Sequence, residues 1–200
     1  MFELLAAMRP EGLRHAPPPL RDDRPQGLNV LGTFAHHPEL AAAFLGYNLH
    51  LLFNTTLSER QRELVVLRVA AIRGSEYEWA QHIALAEEVG LTLDEVDRIG
   101  AGVHAGWGAL DQALLTATDE LVRDAQITDQ TWTALTAELD THQLMDLVFT
   151  VGTYDLLAMA FKTFRLPLDD DLVNHARERP TGRRSPHDGG SRVSSPLTNG

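Results

Sequence analysis

The chain has 200 residues, of which 44% are hydrophobic and 22% are charged, proportions typical of a soluble globular protein with one domain. Its net charge of -11 makes nucleic acid and anionic membranes poor partners on electrostatic grounds. The sequence has no cysteine, which excludes structural disulfides, thiolate metal sites and thiol chemistry.

The two ends of the chain differ in composition from its middle. Residues 1–30 include the Pro-rich stretch "APPPLRDDRPQG", and we expect them to form an extended N-terminal arm. Residues 177–200 are basic, rich in Pro, Gly and Ser and nearly free of apolar side chains, which predicts a disordered tail. Residues 31–176 are therefore assigned to the folded domain. Because neither a long apolar run nor a leader-type start is recognised, a cytoplasmic protein is expected.

Helical signals begin near residue 38. Pro38 is a residue that the first turn of a helix tolerates, and apolar side chains follow at helical spacing in "HHPELAAAFLGYNLHLLF". Ser58 and Gln61 form a capping-box pattern that predicts the start of a second helix, and Gly74 can end that helix. Thr92 and Glu95 open a further short helix by the same capping pattern.

The C-terminal half shows the same helical character. An amphipathic segment places one apolar stripe at Leu110, Leu114, Ala117 and Leu121. Thr128 is a good cap for the next helix. The longest apolar segment, "THQLMDLVFTVGTYDLLAMAFKTFRL", has a mixed period around 148–153, but its length and its Leu, Met and Ala content favour a helix. No alternating strand pattern separates these elements, so the predicted fold class is all-α.

Polar residues with chemical potential gather in "GSEYEWAQH". On a helix, Ser75, Glu78 and His82 fall on one face, and Glu78 and His82 form a direct i, i+4 pair. A carboxylate beside an imidazole favours the imidazolium and fixes its tautomer, as a general acid or base requires. Glu63 lies in the preceding apolar helix, where a carboxylate is either turned outward or buried for a purpose.

Each of these features also has a structural interpretation. A Glu–His pair at this spacing is common on solvated helix faces, and Glu63 could pair with Arg60 or Arg62 on the polar side of its helix. Tyr77 and Trp79 fit core or interface positions.

Metal and cofactor sites are poorly supported by the sequence. Glu78 and His82 supply two possible ligands, but neither H-E-x-x-H nor a second E-x-x-H completes a centre. The pair His36 and His37 is interpreted as helix-entry chemistry rather than as a ligand pair. A phosphate-binding loop and a serine nucleophile elbow are both absent from the sequence. No metal and no cofactor are therefore expected.

Taken with Glu63, the spacing of Ser75, Glu78 and His82 resembles the carboxymuconolactone decarboxylase and alkylhydroperoxidase D superfamily. In the hydroperoxidase branch of that superfamily the pattern is Glu, then a C-x-x-C pair, then His. The resemblance extends over about residues 31–171 and includes "LGTFAHHPELAAAFLGYNLHLLF", "ERQRELVVLRVA" and "VFTVGTYDLLAMAFKTFRLPLD".

The resemblance implies a compact all-helical bundle whose protomers associate through helical faces, as trimers, hexamers or larger rings. It places Glu63 at the family's glutamate and His82 at its proton-relay histidine, whereas Ser75 and Glu78 stand at the two redox cysteines. Peroxide reduction requires a thiolate and a resolving thiol, so no thiol peroxidase activity is expected.

The decarboxylase branch implies a cofactor-free lyase or isomerase acting on a small carboxylated or lactone-like molecule. Loss of CO2 leaves electron density that an acid must protonate, and His82, held by Glu78 or Glu63, could supply the proton. Arg68 or Arg73 could receive a substrate carboxylate. The candidate catalytic residues are His82, Glu63, Glu78, Ser75 and Tyr77.

Two other functions stay open. The chain could be a non-catalytic oligomeric protein that binds a small molecule on the family scaffold after losing the cysteines, or it could hold a single metal ion. The C-terminal helix is apolar on nearly every side, so we expect a partner subunit to cover part of it in a homo-oligomer.

Overall fold

The computed structural model describes residues 14–15, 27–102 and 106–173, and all regular structure within these ranges is helical. In chain order these ranges contain α1 (Leu28–Phe34), α2 (Pro38–Phe53), α3 (Glu59–Arg73), α4 (Glu76–Glu88), α5 (Leu93–Ala101), α6 (Ala109–Asp124), α7 (Asp129–Thr136) and α8 (Thr141–Thr163). A last helical turn follows at 170–173. The prediction of an all-α fold is confirmed.

Helix starts follow the capping chemistry in the sequence. Ser58 and Gln61 form a complete capping box at the start of α3, and Thr92 and Glu95 form another at α5. The side chain of His37 accepts a hydrogen bond from the Leu40 amide at the start of α2, so this histidine does belong to helix entry. These side chains satisfy amides that the first helical turn leaves without a partner.

Helix α3 forms the centre of the bundle. It packs against α4, α5, α6 and α8, and every residue from Arg62 to Ala70 is buried. The helix carries Leu64, Val65, Val66 and Leu67 on consecutive positions, because a helix surrounded by others needs apolar side chains all round. Three charged residues of this helix, Arg62, Glu63 and Arg68, are therefore held inside the protein.

A tight turn connects α3 to α4. Gly74 ends α3 with φ of 58°, a left-handed conformation that a residue without Cβ adopts at little cost. Its amide donates back to the last carbonyls of α3, and α4 starts two residues later. This turn places α4 directly against α3, so that the polar face of α4 meets Glu63.

Helix α8 is buried on one side only. Leu147, Val151 and Tyr154 face the core, whereas an apolar stripe faces outward and consists of Met145, Val148, Phe149, Leu156 and Met159. In the described part of the chain, α8 is the single helix long and apolar enough to span a bilayer, and 44% of its apolar window is buried in the protein. Core helices pass the same test, so this is weak evidence for a membrane span.

The predicted N-terminal arm and the tail at 177–200 lie almost entirely outside the described residues. Helix α1 begins at Leu28, three positions before the predicted start of the domain. The Asn29 amide donates to Asp169 Oδ1 at 2.8 Å, which ties α1 to the segment after α8.

Candidate functional site

A buried hydrogen bond joins α3 to α4 at two residues that the sequence singles out. His82 Nδ1 lies 2.6 Å from Glu63 Oε2, with Glu63 fully buried and His82 only 7% exposed. The sequence left Glu63 and Glu78 open as partners of this ring, and the structure selects Glu63. The contact depends on the packing of one helix on another rather than on spacing within α4.

The charges around this pair fix the tautomer of the histidine. Burial opposes ionisation of Glu63, but the charge and hydrogen bond of His82, with those of Arg62, outweigh it and lower the pKa of Glu63. Arg62 Nε donates to Glu63 Oε1 at 3.1 Å, so the Glu63–Arg62 pair considered above does form, but in the interior. An ionised carboxylate only accepts, so Nδ1 carries a proton and Nε2 can exchange one with a ligand.

His82 forms part of the wall of a cavity of about 370 Å³ between α1, α2, α4 and α8. The lining is mainly apolar and includes Leu31, Leu45 and Leu157. Tyr154 packs edge-on against the imidazole, with 5.1 Å between ring centroids, and restrains its orientation. Sites for small molecules typically measure about 300–1,000 Å³, so this cavity can hold a small ligand.

Glu78 is a second buried carboxyl group in the same wall. It is 2% exposed, and neither of its carboxyl oxygens has a hydrogen-bond partner. The pKa of Glu78 is raised to about 8, mainly by burial. The nearby Ser75 hydroxyl lowers this pKa, although it forms no hydrogen bond of ordinary geometry with the carboxyl group, and the charge of Asp155 raises it. Glu78 is therefore mainly protonated at neutral pH and can donate a hydrogen bond into the cavity.

Two polar residues of the cavity wall, Asn48 and Tyr154, are not predicted from the sequence. Asn48 lines the cavity from α2, and its buried Oδ1 has no hydrogen-bond partner. The signal was present, since Asn48 lies on the same helical face as Leu45 and Leu52, where a lone amide is unusual. Tyr154 comes from α8, and no local sequence motif marks it as a residue of the site.

Tyr77 has a different role from the catalytic one considered above. Its ring lines the cavity, but its hydroxyl donates to Asp169 Oδ2 at 2.5 Å. Burial and the bond to Asp169 raise the pKa of Tyr77 far above its usual range, so the phenol stays neutral and its proton remains in the hydrogen bond to Asp169. Since Asp169 also holds the amide of Asn29, the structure makes Tyr77 a support for the wall near α1.

Ser75 is not in the wall of the 370 Å³ cavity. It is 1% exposed and lines a smaller cavity of about 170 Å³ with Lys162 and Arg165. The sequence placed Ser75 on the same helix face as Glu78 and His82, but Ser75 is the N-cap residue of α4 and lies at the edge of that face. The structure therefore does not bring Ser75 to the imidazole.

The two arginines considered as substrate ligands are engaged elsewhere. Arg68 forms a two-pronged ion pair with Asp119, at 2.5 and 2.9 Å, and Arg73 pairs with Asp155. Neither arginine lines the cavity. This part of the expectation is wrong, because both guanidinium groups cross-link helices instead of facing the site.

No group of three or more potential metal ligands occurs among the described residues. In that part of the chain, Glu63 and His82 meet as a pair, while Glu78 faces the cavity without a ligating neighbour of its own. Elemental analysis of protein purified without added metal is the direct test for a bound ion.

Comparison with known proteins supports the resemblance. Residues 38–119 match the model of the carboxymuconolactone decarboxylase family. This segment contains α3 and α4 with Glu63, Glu78 and His82. Among curated proteins there is no significant sequence match.

Three solved structures share the fold. A protein of unknown function from Agrobacterium tumefaciens, described as a candidate antioxidant defence protein AhpD, has a TM-score of 0.64 and 17% identity, over 68% of this chain and 95% of that one. An uncharacterized peroxidase-related protein from Ralstonia eutropha, described as an alkylhydroperoxidase AhpD core, has a TM-score of 0.65 and 20% identity, with 72% and 78% covered. An uncharacterized peroxidase-related protein from a Silicibacter species has a TM-score of 0.66 and 17% identity, with 72% and 77% covered.

At these identities the solved structures show the fold alone, whereas the match at 38–119 covers the helices that carry the site. The resemblance noted in the sequence places Ser75 and Glu78 at the redox pair, and the sequence has no cysteine. The chain thus has the fold of these AhpD-like structures and a segment, 38–119, that matches the carboxymuconolactone decarboxylase family, and its sequence contains no C-x-x-C pair.

Proposed function

We propose that this protein is a cofactor-free lyase or isomerase in which His82 transfers a proton to or from a small molecule bound in the 370 Å³ cavity. The observation that carries the proposal is the His82–Glu63 contact of 2.6 Å on a ring that lines this cavity. An imidazole held at Nδ1 by a carboxylate can accept or donate a proton at Nε2. Glu63 acts as a positioning residue, since it does not line the cavity.

The proposed chemistry is proton transfer next to a carbonyl or carboxyl group. In a decarboxylation, the electron pair of the broken C–C bond stays on the organic product as CO2 leaves, and the imidazolium returns a proton to that carbon. In an isomerisation, the neutral imidazole first removes a proton and later returns it at another position. Thiol peroxidase activity is not proposed, because disulfide formation requires two thiols and the sequence has none.

Replacing His82 with Gln is expected to lower kcat by at least about 100-fold on any substrate found, since general acid–base catalysis contributes about 10²–10⁴-fold. The measurement is turnover of a panel of small lactones and carboxylates by product-detecting mass spectrometry. His142→Gln is the matched control, because that imidazole is 82% exposed on α8, and its turnover should equal that of the wild type. Equal turnover by the His82 variant would disprove the mechanism.

A non-catalytic binding protein on the same scaffold is the second candidate. The apolar lining and the loss of both redox cysteines favour it. An open, solvated His82 or a site filled by side chains would favour a purely structural role, but the imidazole lines a cavity. Ligand binding without any turnover that depends on His82 would support the binding protein.

Self-association is also proposed, through the outward apolar stripe of α8. Leu156 and Met159 are 51% and 52% exposed, and Phe149 is 50% exposed beside them. A contiguous apolar patch of this kind is rarely left in contact with water. Gly152 lies in the same stripe, where a Cβ would meet no atom within 4 Å, so the surface above it is open and a second copy of α8 can approach the backbone closely.

The double variant Leu156→Glu and Met159→Glu is expected to be monomeric, whereas the wild type is expected to form trimers or hexamers. The measurement is molar mass by light scattering at micromolar concentration. Trp132→Glu serves as a control, because Trp132 is similarly exposed, at 47%, but lies on α7. A monomeric wild type, or an unchanged mass in the double variant, would contradict the proposed interface.

A further inference from the structure

The charge balance of the cavity restricts which ligands it accepts. Among its described lining residues there is no lysine and no arginine. The histidine in the wall is already bound by the Glu63 carboxylate, so it offers a ligand no uncompensated positive charge. A ligand carboxylate would therefore lose its hydration without gaining a free positive partner, which is costly in an apolar site.

The unpartnered polar atoms point to hydrogen bonding with a neutral group. Both oxygens of Glu78 are buried without a partner, as is Oδ1 of Asn48. Buried polar groups in folded proteins are almost always paired, so orphaned atoms in a cavity wall indicate a ligand that supplies the missing partner. A protonated carboxyl group offers one donor, and a carbonyl oxygen is its complement.

The groups that face Glu78 favour its protonated form. Asp155 and Tyr154 approach it from α8, and Asp155 is held by Arg73. On α3 the charge of Glu63 is compensated by Arg62, and Glu63 also accepts a hydrogen bond from His82 of α4. From α1 and α2 the described lining contributes apolar side chains and the amide of Asn48.

We propose that the cavity selects an uncharged, largely apolar ligand with one carbonyl group, and that the Glu78 carboxyl group donates a hydrogen bond to the carbonyl oxygen of that ligand. This inference rests on the proposed function, because it assigns the ligand to the same cavity. It goes further in choosing neutral lactone-like molecules over carboxylates, and it thereby selects isomerisation over decarboxylation, since decarboxylation requires a carboxylate on the ligand. In such a complex the carbonyl lies between a hydrogen-bond donor, Glu78, and a proton carrier, His82.

The test uses two probes that differ in charge but hardly in shape, 2-nonanone and octanoate. Replacing the methyl group beside the carbonyl of the ketone by an ionised oxygen gives the carboxylate, and neither probe can be hydrolysed. Their dissociation constants are measured by isothermal titration calorimetry with the full chain at pH 6.5 and pH 9. At pH 6.5 the ketone is expected to bind at least about tenfold more tightly than octanoate.

The pH dependence identifies Glu78 as the donor. For the wild type, the dissociation constant of 2-nonanone should rise about tenfold between pH 6.5 and pH 9, because only the protein with a protonated Glu78, pKa about 8, is competent to bind. In Glu78→Gln the amide still donates but does not titrate, so affinity should be the same at both pH values. Glu78→Ala should bind the ketone weakly at both.

Each outcome decides the inference. Octanoate binding as tightly as 2-nonanone, the same pH dependence in Glu78→Gln as in the wild type, or no binding of either probe would overturn it. If the ketone binds as expected while no substrate shows turnover dependent on His82, the ligand class stands and the enzyme proposal fails. If turnover depends on His82 but carboxylates bind better than ketones, the enzyme proposal stands and the ligand class is wrong.

Discussion

Glu78→Gln is expected to be more favourable for stability at alkaline pH than at acidic pH. The difference in free energy of unfolding between the variant and the wild type should change by a few kcal/mol between the two conditions. The folded-state pKa of Glu78 is raised from the usual 4.5 to about 8 by burial. Between these values the folded state holds one proton more than the unfolded state, so stability falls as pH rises. The favourable contribution is complete below 4.5 and is lost as pH rises through about 8. A tenfold difference in proton affinity between the folded and unfolded states corresponds to about 1.4 kcal/mol of stability.

The measurement is the free energy of unfolding in urea for wild type and Glu78→Gln at pH 5, 7 and 9. The difference between the two proteins cancels the titration of all other groups, including Glu63, whose lowered pKa acts in the opposite direction at low pH. Glu76→Gln is the control, since this residue is exposed on the same helix and should change stability by less than about 0.5 kcal/mol. A pH-independent effect of Glu78→Gln would show that this carboxyl group is hydrated.

Asp119→Ala is expected to lower the free energy of unfolding by about 3–5 kcal/mol, because it leaves the buried charge of Arg68 without its carboxylate partner. Arg68 and Asp119 are each 5% exposed. Two hydrogen bonds join them, and Arg68 Nη1 also donates to the carbonyl oxygen of Ile99 at 2.9 Å, so the guanidinium links α3, α5 and α6. The measurement is urea unfolding at pH 7.

Asp111→Ala provides the comparison for the effect of burial. Asp111 accepts from Arg60 Nη1 at 2.8 Å, but the pair is only partly buried and Arg60 keeps its bond to Glu95. Its loss should cost no more than about 1 kcal/mol. Replacing Arg68 with Met and Asp119 with Leu together should recover most of the stability, because apolar residues can substitute for a buried ion pair. A loss below about 1 kcal/mol in Asp119→Ala would contradict this role of the pair.

The helical fold could be predicted because its signals are local. Capping boxes, Pro38 and the apolar periodicity all act within a few residues, and the structure confirms the predicted helix starts at Glu59 and Leu93. The β-branched stretch within α8 stays helical, since Leu147, Val151 and other neighbours pack it against α3 and α6. Tertiary packing outweighs the modest strand preference of such residues.

The candidate site could be predicted only in part. Spacing alone put Glu78 and His82 on one face, but it could not show that the imidazole would form its hydrogen bond with Glu63 of the neighbouring helix α3. The protonated state of Glu78 depends on its burial in the folded protein, and the contribution of Asn48 depends on α2 and α4 lining the same cavity. The roles of Arg68 and Arg73 were missed for the same reason, since their carboxylate partners lie on distant helices.

The direct test of proton transfer at His82 is 15N NMR of the protein labelled at histidine ring nitrogens, recorded with and without 2-nonanone from pH 5 to pH 10. Glu63 accepts from Nδ1, so we expect Nδ1 to carry a proton and Nε2 to be the nitrogen that meets the ligand. The Nε2 signal of His82 should shift when the ketone enters the cavity, whereas the exposed His142 should not respond. A ring protonated at Nε2 and bare at Nδ1, or an Nε2 signal unchanged by a bound ligand, would contradict the proposal.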